Sequence, residues 1–256
     1  VCPICVKLKV PTTYWCCVNC PGNPGAWKRH AVYHKGLKGF RRKTEDGGVV
    51  QQRQREAAEE AARYSAQSGD AYVVLVADGA RYASQQDTRR AARAFREAIA
   101  LRPDLPVAYF NLGGSLANSG NGVEAAQWLL EAKVRCPVGS EIWGQATAAA
   151  WIMLTREVCA EVAKPEWWND KELKALSARV LRAAPNHATA IEMRATMLSG
   201  FSGDCWEAGP RSAAELREAV THYDRAAALH PAPVAKANFA GKAARCRRLA
   251  EAMCDV

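Results

Sequence analysis

The 256-residue sequence has no apolar run near 18 residues and no signal-peptide pattern. A membrane partner is therefore not expected, and the reading is of an intracellular protein, cytoplasmic or nuclear. The chain begins at Val1 rather than at methionine, which leaves room for upstream sequence and a targeting signal there. No phosphate-binding loop, nucleophile elbow or metalloprotease histidine pair occurs. His187, His222 and His230 are scattered, and Asp78, Asp87, Asp104 and Asp204 read as helix-end residues rather than catalytic pairs. The chain is thus expected not to be an enzyme.

Acidic residues are missing from one end altogether. Residues 1–44 contain no Asp or Glu, whereas residues 1–43 carry nine basic ones: Lys7, Lys9, Lys28, Arg29, Lys35, Lys38, Arg41, Arg42 and Lys43. The rest of the chain has 26 basic and 26 acidic residues, so the net charge of +9 belongs to the N-terminal end. Such a field can meet phosphate or an acidic protein surface. The plainer reading makes Lys38 to Lys43 a solvated junction. A disulfide framework is also absent: Cys136, Cys159, Cys205, Cys246 and Cys254 are isolated, as suits thiols in a reducing compartment.

The other five cysteines crowd into the first 20 residues, followed by His30 and His34. Cys2-x2-Cys5 is half of a zinc site, because two thiolates three apart in a tight turn reach one tetrahedral ion. Two frames supply the other half: Cys17-x2-Cys20, giving a four-cysteine site, or Cys16-x3-Cys20. His30 and His34 sit four apart, on one face of a short helix. With no carboxylate nearby to serve as acid or base, the zinc is read as structural.

The run Tyr14-Trp15-Cys16-x3-Cys20, followed by Trp27-x2-His30-x3-His34, resembles the latter half of a MYND-type zinc finger. That family binds two zinc ions in interleaved fashion and recognises short, often proline-containing peptides. Cys16, Cys20, Trp27 and His30 match its pattern, and His34 stands where a final cysteine is expected. Two departures exist: the insert Pro21 to Gly25, and a single cysteine pair before Tyr14 where the family has two. If the missing pair lies upstream of Val1, Cys2 and Cys5 join His30 and His34. If nothing is missing, one site forms from Cys2, Cys5, Cys16 or Cys17, and Cys20, as in another treble-clef or ribbon-like finger.

Repetition begins after a connecting helix expected within Gln51 to Gln67. Leu75, Gly79, Tyr82, Ala91, Phe95, Ala98 and Pro103 recur as Tyr109, Gly113, Leu116, Ala125, Leu129, Ala132 and Pro137, each 34 residues on. Small residues allow close helix approach, and Phe95 and Leu129 fill the hollow between helices. This pattern resembles the tetratricopeptide repeat. A third pair begins at Trp143, Ala146 and Ala150; its first helix is expected to run to about Val162, before Pro165 to Asn169 interrupt it. A fourth begins at Ile191, Ala195 and Leu198, with an insert from Gly200 to Pro210. Measured from Pro137 to Pro185 and on to Pro231, these units span 48 and 46 residues. A terminal helix follows, with Lys242, Arg245, Arg247 and Arg248 facing solvent.

The expected fold is all-α: an alpha-alpha superhelix of tetratricopeptide-like hairpins carrying an N-terminal zinc-finger module. Its parts are a finger at 1–43, a linker and connecting helix at 44–70, four hairpins at 71–233 and a capping helix at 234–256. The resemblance implies a peptide face on the first helices, at Val76, Ala80, Phe110, Asn111, Gly114 and Asn118. These residues lack the cations needed to grip an acidic tail. The reading is a zinc-binding scaffold or adaptor for a protein or peptide partner; the alternative is nucleic-acid binding through the basic finger, with Tyr14, Trp15 and Trp27 available for stacking.

Overall fold

The computed structural model describes residues 69–201, 203, 205–230 and 232–253, together with Gln52, Arg55, Glu56, Glu59 and Glu60. The candidate zinc ligands Cys2, Cys5, Cys16, Cys17, Cys20, His30 and His34, and the basic residues from Lys28 to Lys43, lie outside the described residues. The chain divides into two units, 1–56 and 57–256. In the first, Gln52 and Glu56 lie in helical backbone and the Gln52 amide donates to the Glu56 carboxylate at 2.9 Å.

Among the described residues the second unit is all-helical, built of consecutive packed pairs in the manner of a helical-repeat superhelix. Its helices are α1 (Ala71–Ser84), α2 (Thr88–Leu101), α3 (Pro106–Asn118), α4 (Gly122–Arg135), α5 (Glu141–Leu154), α6 (Asp170–Ala183), α7 (Ala188–Ser199), α8 (Ala213–Leu229) and α9 (Pro233–Ala252). Each helix packs on the next, and the first helices touch in series, α1 to α3, α3 to α5 and α5 to α7.

Local chemistry sets the boundaries. Asp70, Asp87, Ser140, Asn169 and Ser212 cap α1, α2, α5, α6 and α8 with their side chains, while Pro106 and Pro233 open α3 and α9. The turns of the first two hairpins are copies. The Asp87 amide donates to the Tyr82 carbonyl and, 34 residues on, the Asn121 amide donates to the Leu116 carbonyl, both at 2.9 Å. Both turns need one left-handed residue, Gln86 at φ 65° and Gly120 at φ 85°. Each second helix closes the same way, with amides of Arg102, Cys136, Ala184 and His230 donating to carbonyls of Ala98, Ala132, Val180 and Ala226.

Within a hairpin, a glycine of the first helix lies against a large side chain of the second. A Cβ on Gly79 would come within 2.5 Å of the Phe95 ring, and one on Gly113 within 2.7 Å of Leu129. Phe95 and Leu129 are buried, each worth about 1.5–3 kcal/mol of transfer free energy. The fourth pair repeats the scheme with Ala195, and with Tyr223 between Ala219 and Ala226. The third breaks it: the corresponding residues are Thr147 opposite a Leu173, Ser177, Val180 sequence, and the close approach moves to Gly144, where a Cβ would meet Ala183 and Ala184 at 3.1 Å.

Helix α5 stops at Leu154 rather than continuing to Val162. The Lys164 ammonium caps it by donating to the Leu154 carbonyl at 3.1 Å and the Cys159 carbonyl at 2.7 Å. The chain then folds back as a short 3-10 turn, Glu157–Cys159, whose Val158 lies 2.8 Å from where a Gly122 Cβ would stand. Trp168 at the end of this insert donates to the Cys205 carbonyl at 2.8 Å and meets Trp206 edge-on at 5.9 Å. The later insert is held by Arg211, which donates to Asp170 at 2.5 and 3.0 Å and to the Met197 carbonyl at 2.9 Å. Asp78, read from the sequence as a helix-end residue, lies inside α1 and pairs with Arg81 at 2.8 Å. Lys242 is half-buried rather than facing solvent, its ammonium 5.7 Å from both the Tyr223 and Phe239 rings.

Two adjacent glycines of α3 should respond in opposite directions. Gly113→Ala is expected to cost about 1–3 kcal/mol, because Leu129 must give way. Gly114, with nothing within 4 Å of an added Cβ, should gain roughly 0.5–1 kcal/mol as Ala through the helix's lower backbone entropy cost. Urea unfolding followed by circular dichroism measures both; equal effects would contradict the close crossing.

Candidate functional site

The first helices leave one helical stripe half-exposed. On α1 and α3 it is apolar: Val73 and Val107 are each 39% exposed, and Val76, Ala80, Phe110 and Gly114 are half-buried between them. Val76 rests on Tyr72, Ala98 and Ala108, while Phe110 rests on the cores of its own hairpin and of the next. Gly114 opens onto free space. Asn111 is half-buried on the same stripe, whereas Asn118 ends α3 exposed. The turn after Asn118 is closed by Ser119, whose hydroxyl donates to the Leu116 carbonyl at 3.0 Å and accepts from Asn121 at 3.1 Å.

The stripe changes character in the third and fourth pairs. Phe110 stands seven residues after Pro103; the same step from Pro137 reaches Gly144, which is buried against the end of α6. Here Ile142, Gln145, Ala149 and Ile152 form the half-exposed stripe instead. Seven residues after Pro185 lies Glu192, with no hydrogen bond or ion pair to a described residue. Sequence reasoning missed it, although the proline register pointed to its position. Burial pushes the Glu192 carboxyl above its ordinary value; Lys242 and His230 pull it back without cancelling the shift. The register position of Val76 and Phe110 is therefore occupied by a buried glycine at α5 and by a carboxyl at α7.

Other polar groups are committed to the scaffold. The Tyr223 hydroxyl hydrogen-bonds Ser199 at 3.0 Å. Burial also pushes the His187 and His222 imidazoles down, and the Nδ1 atom of each is buried without a partner. Glu215 completes the α8 capping box and pairs with Lys174 at 2.6 Å; against the effect of burial, Lys174 and Ser212 hold its carboxyl at about 2. Among the described residues no group of three or more His, Cys, Asp or Glu is placed to hold a metal ion, and no helix is long and apolar enough to cross a membrane. No protein-family model matches the chain, and no curated protein matches it either.

Glu192 and Glu215 predict opposite pH behaviour. Glu215 is stabilising above its unfolded value of 4.5, and that contribution fades as the pH falls through about 2. Glu192 has a raised folded value, so it destabilises the fold increasingly as the pH rises above its ordinary 4.5. At pH 7, Glu192→Gln is expected to raise the unfolding midpoint and Glu215→Gln to lower it, with both differences shrinking in acid. Thermal unfolding across pH checks this, and a Glu192→Gln protein less stable than the parent at pH 7 would contradict it.

Proposed function

We propose that this chain is a zinc-stapled interaction scaffold that binds a peptide or short helix of a partner protein along its first-helix face. Residues 1–43 are read as a MYND-like or related finger holding structural zinc, and residues 71–233 as four tetratricopeptide-like hairpins. The observation that carries the reading is the apolar strip Val73, Val76, Val107 and Phe110, left uncovered beside an open Gly114. An aliphatic peptide face gains affinity there by burying side chains that water now touches. The reading assigns no catalytic role to any residue and places the protein inside the cell.

A second reading, nucleic-acid binding, is favoured by the nine Lys and Arg of residues 1–43 with no acid among them. It predicts binding that collapses as salt rises, whereas apolar peptide capture persists.

The test is selection of peptides from a random library on the zinc-loaded full chain, then affinity measurement against variants. Gly114→Leu fills the open position without a clash and is expected to weaken the selected peptides at least about tenfold, with the thermal midpoint not lowered and zinc content by native mass spectrometry unaltered. Selected peptides that bind Gly114→Leu as they bind the parent, or that are lost only on chelating zinc, would move the binding function off the helices. Salt-sensitive binding of DNA or RNA with no peptide selected would establish the second reading.

A further inference from the structure

One side of α8 is seated on α6 and α7 through charged side chains. At one end Glu215 of α8 pairs with the Lys174 ammonium of α6 at 2.6 Å. At the other the Arg225 guanidinium of α8 donates to the Pro185 carbonyl at 2.6 Å and to the Asn186 side chain at 2.9 Å, in the turn between α6 and α7. Between them stands Arg194 of α7, its side chain 16% exposed, which donates to the Lys174 carbonyl at 3.2 Å and to the Glu218 carboxylate of α8 at 2.9 and 3.2 Å. Arg194 thus ties three helices together through one carboxylate.

That carboxylate is shared. The His222 ring of α8, its side chain 15% exposed, brings Nε2 to 3.4 Å from the same Glu218 oxygen that Arg194 holds. A carboxylate only accepts, so Nε2 carries the proton of the neutral ring and Nδ1 keeps its lone pair. The Nδ1 atom is buried without a hydrogen-bond partner. Protonating the ring places an N–H at that buried atom with nothing to accept it, and adds a cation beside Arg194 and Arg225. The imidazolium then competes with Arg194 for Glu218. The other charges at this seat are committed: Lys174 to Glu215 and, where α9 packs on α8, Arg247 to Asp224. Burial holds the imidazole below its ordinary 6.5, Glu218 opposes the fall, and Arg194 and Arg225 add to it. Separating α8 from its seat hydrates Nδ1, so acid favours the open state, and a stack held pair by pair can open there without unfolding elsewhere.

We propose that the seat of α8 on α6 and α7 is a pH-sensitive joint, closed while His222 is neutral and loosened when its ring takes up a proton. The joint does not depend on the peptide reading of the first-helix face. Native-state hydrogen exchange on the full chain at about pH 7.5 and about pH 5.5, expressed as protection factors, tests it. With a depressed folded value, the stabilisation is present above 6.5 and is lost as the pH falls from there through the folded value. Protection in α8 and α9 is expected to fall about three- to tenfold relative to α2 and α3. His222→Gln, which keeps a neutral N–H for Glu218 and does not titrate, is expected to remove that fall. The other buried imidazole, His187, is influenced by Glu141 of α5 instead, so His187→Gln should leave the fall in place. A fall that persists in His222→Gln, that only His187→Gln abolishes, that is uniform from α1 to α9, or that does not occur would overturn the proposal. If His222→Gln does not fold, NMR titration of the His222 ring in the parent decides: a midpoint below 6.5 keeps the joint, and one at or above 6.5 overturns it.

Discussion

The stack of helices rests on a steric fit one atom deep. Gly79 and Gly113 have no Cβ because Phe95 and Leu129 occupy the place where one would stand. That contact sets the distance between the two helices of a pair, and the pair spacing in turn decides which face of each first helix is covered. Once the second helix has taken the glycine side of α1 and α3, Val73, Val76, Val107 and Phe110 fall on the stripe beside it, Val76 and Phe110 one turn before the glycines. The apolar face is therefore a consequence of the crossing, and changing the crossing should disturb it.

The third pair shows how the same architecture tolerates a different solution. Helix α5 is covered on all but the stripe of Ile142, Gln145, Ala149 and Ile152: Trp143, Gly144, Ala148 and Trp151 meet the following helices, while Ala150, Met153 and Leu154 meet the preceding pair. Its insert meets that of the fourth pair through Trp168, Cys205 and Trp206, and Arg211 binds Asp170 at the head of α6. A helix buried on nearly every side cannot supply the same open stripe as its neighbours. This is why the register position of Val76 and Phe110 is closed at Gly144 and half-open again at Glu192.

Much of the helical order was legible because periodic small residues and prolines report directly on helix crossings and ends. Gly79, Gly113, Ala91 and Ala125 fall at the contacts their spacing implied. Less legible were features set by long-range packing. The end of α5 at Leu154 depends on Lys164 reaching back ten residues, which no local pattern encodes. The half-burial of Lys242 depends on Tyr223 of α8 as well as on Phe239 of its own helix. Glu192 was recoverable from the proline register alone, but its burial and the nearness of Lys242 were not. The finger and its zinc ligands rest on spacing, and that part of the reading stands on the sequence.

If each pair is held chiefly by its own crossing and its neighbours, damage should stay local. The most direct measurement is native-state hydrogen exchange on the parent and on Gly113→Leu, resolved helix by helix. The account predicts loss of protection in α3 and α4, a smaller loss in α2 and α5, and parent-like protection in α8 and α9. Uniform loss across α1 to α9 would show a single cooperative body without repeat-by-repeat stability, and unchanged protection in α3 and α4 would contradict the Gly113–Leu129 crossing itself.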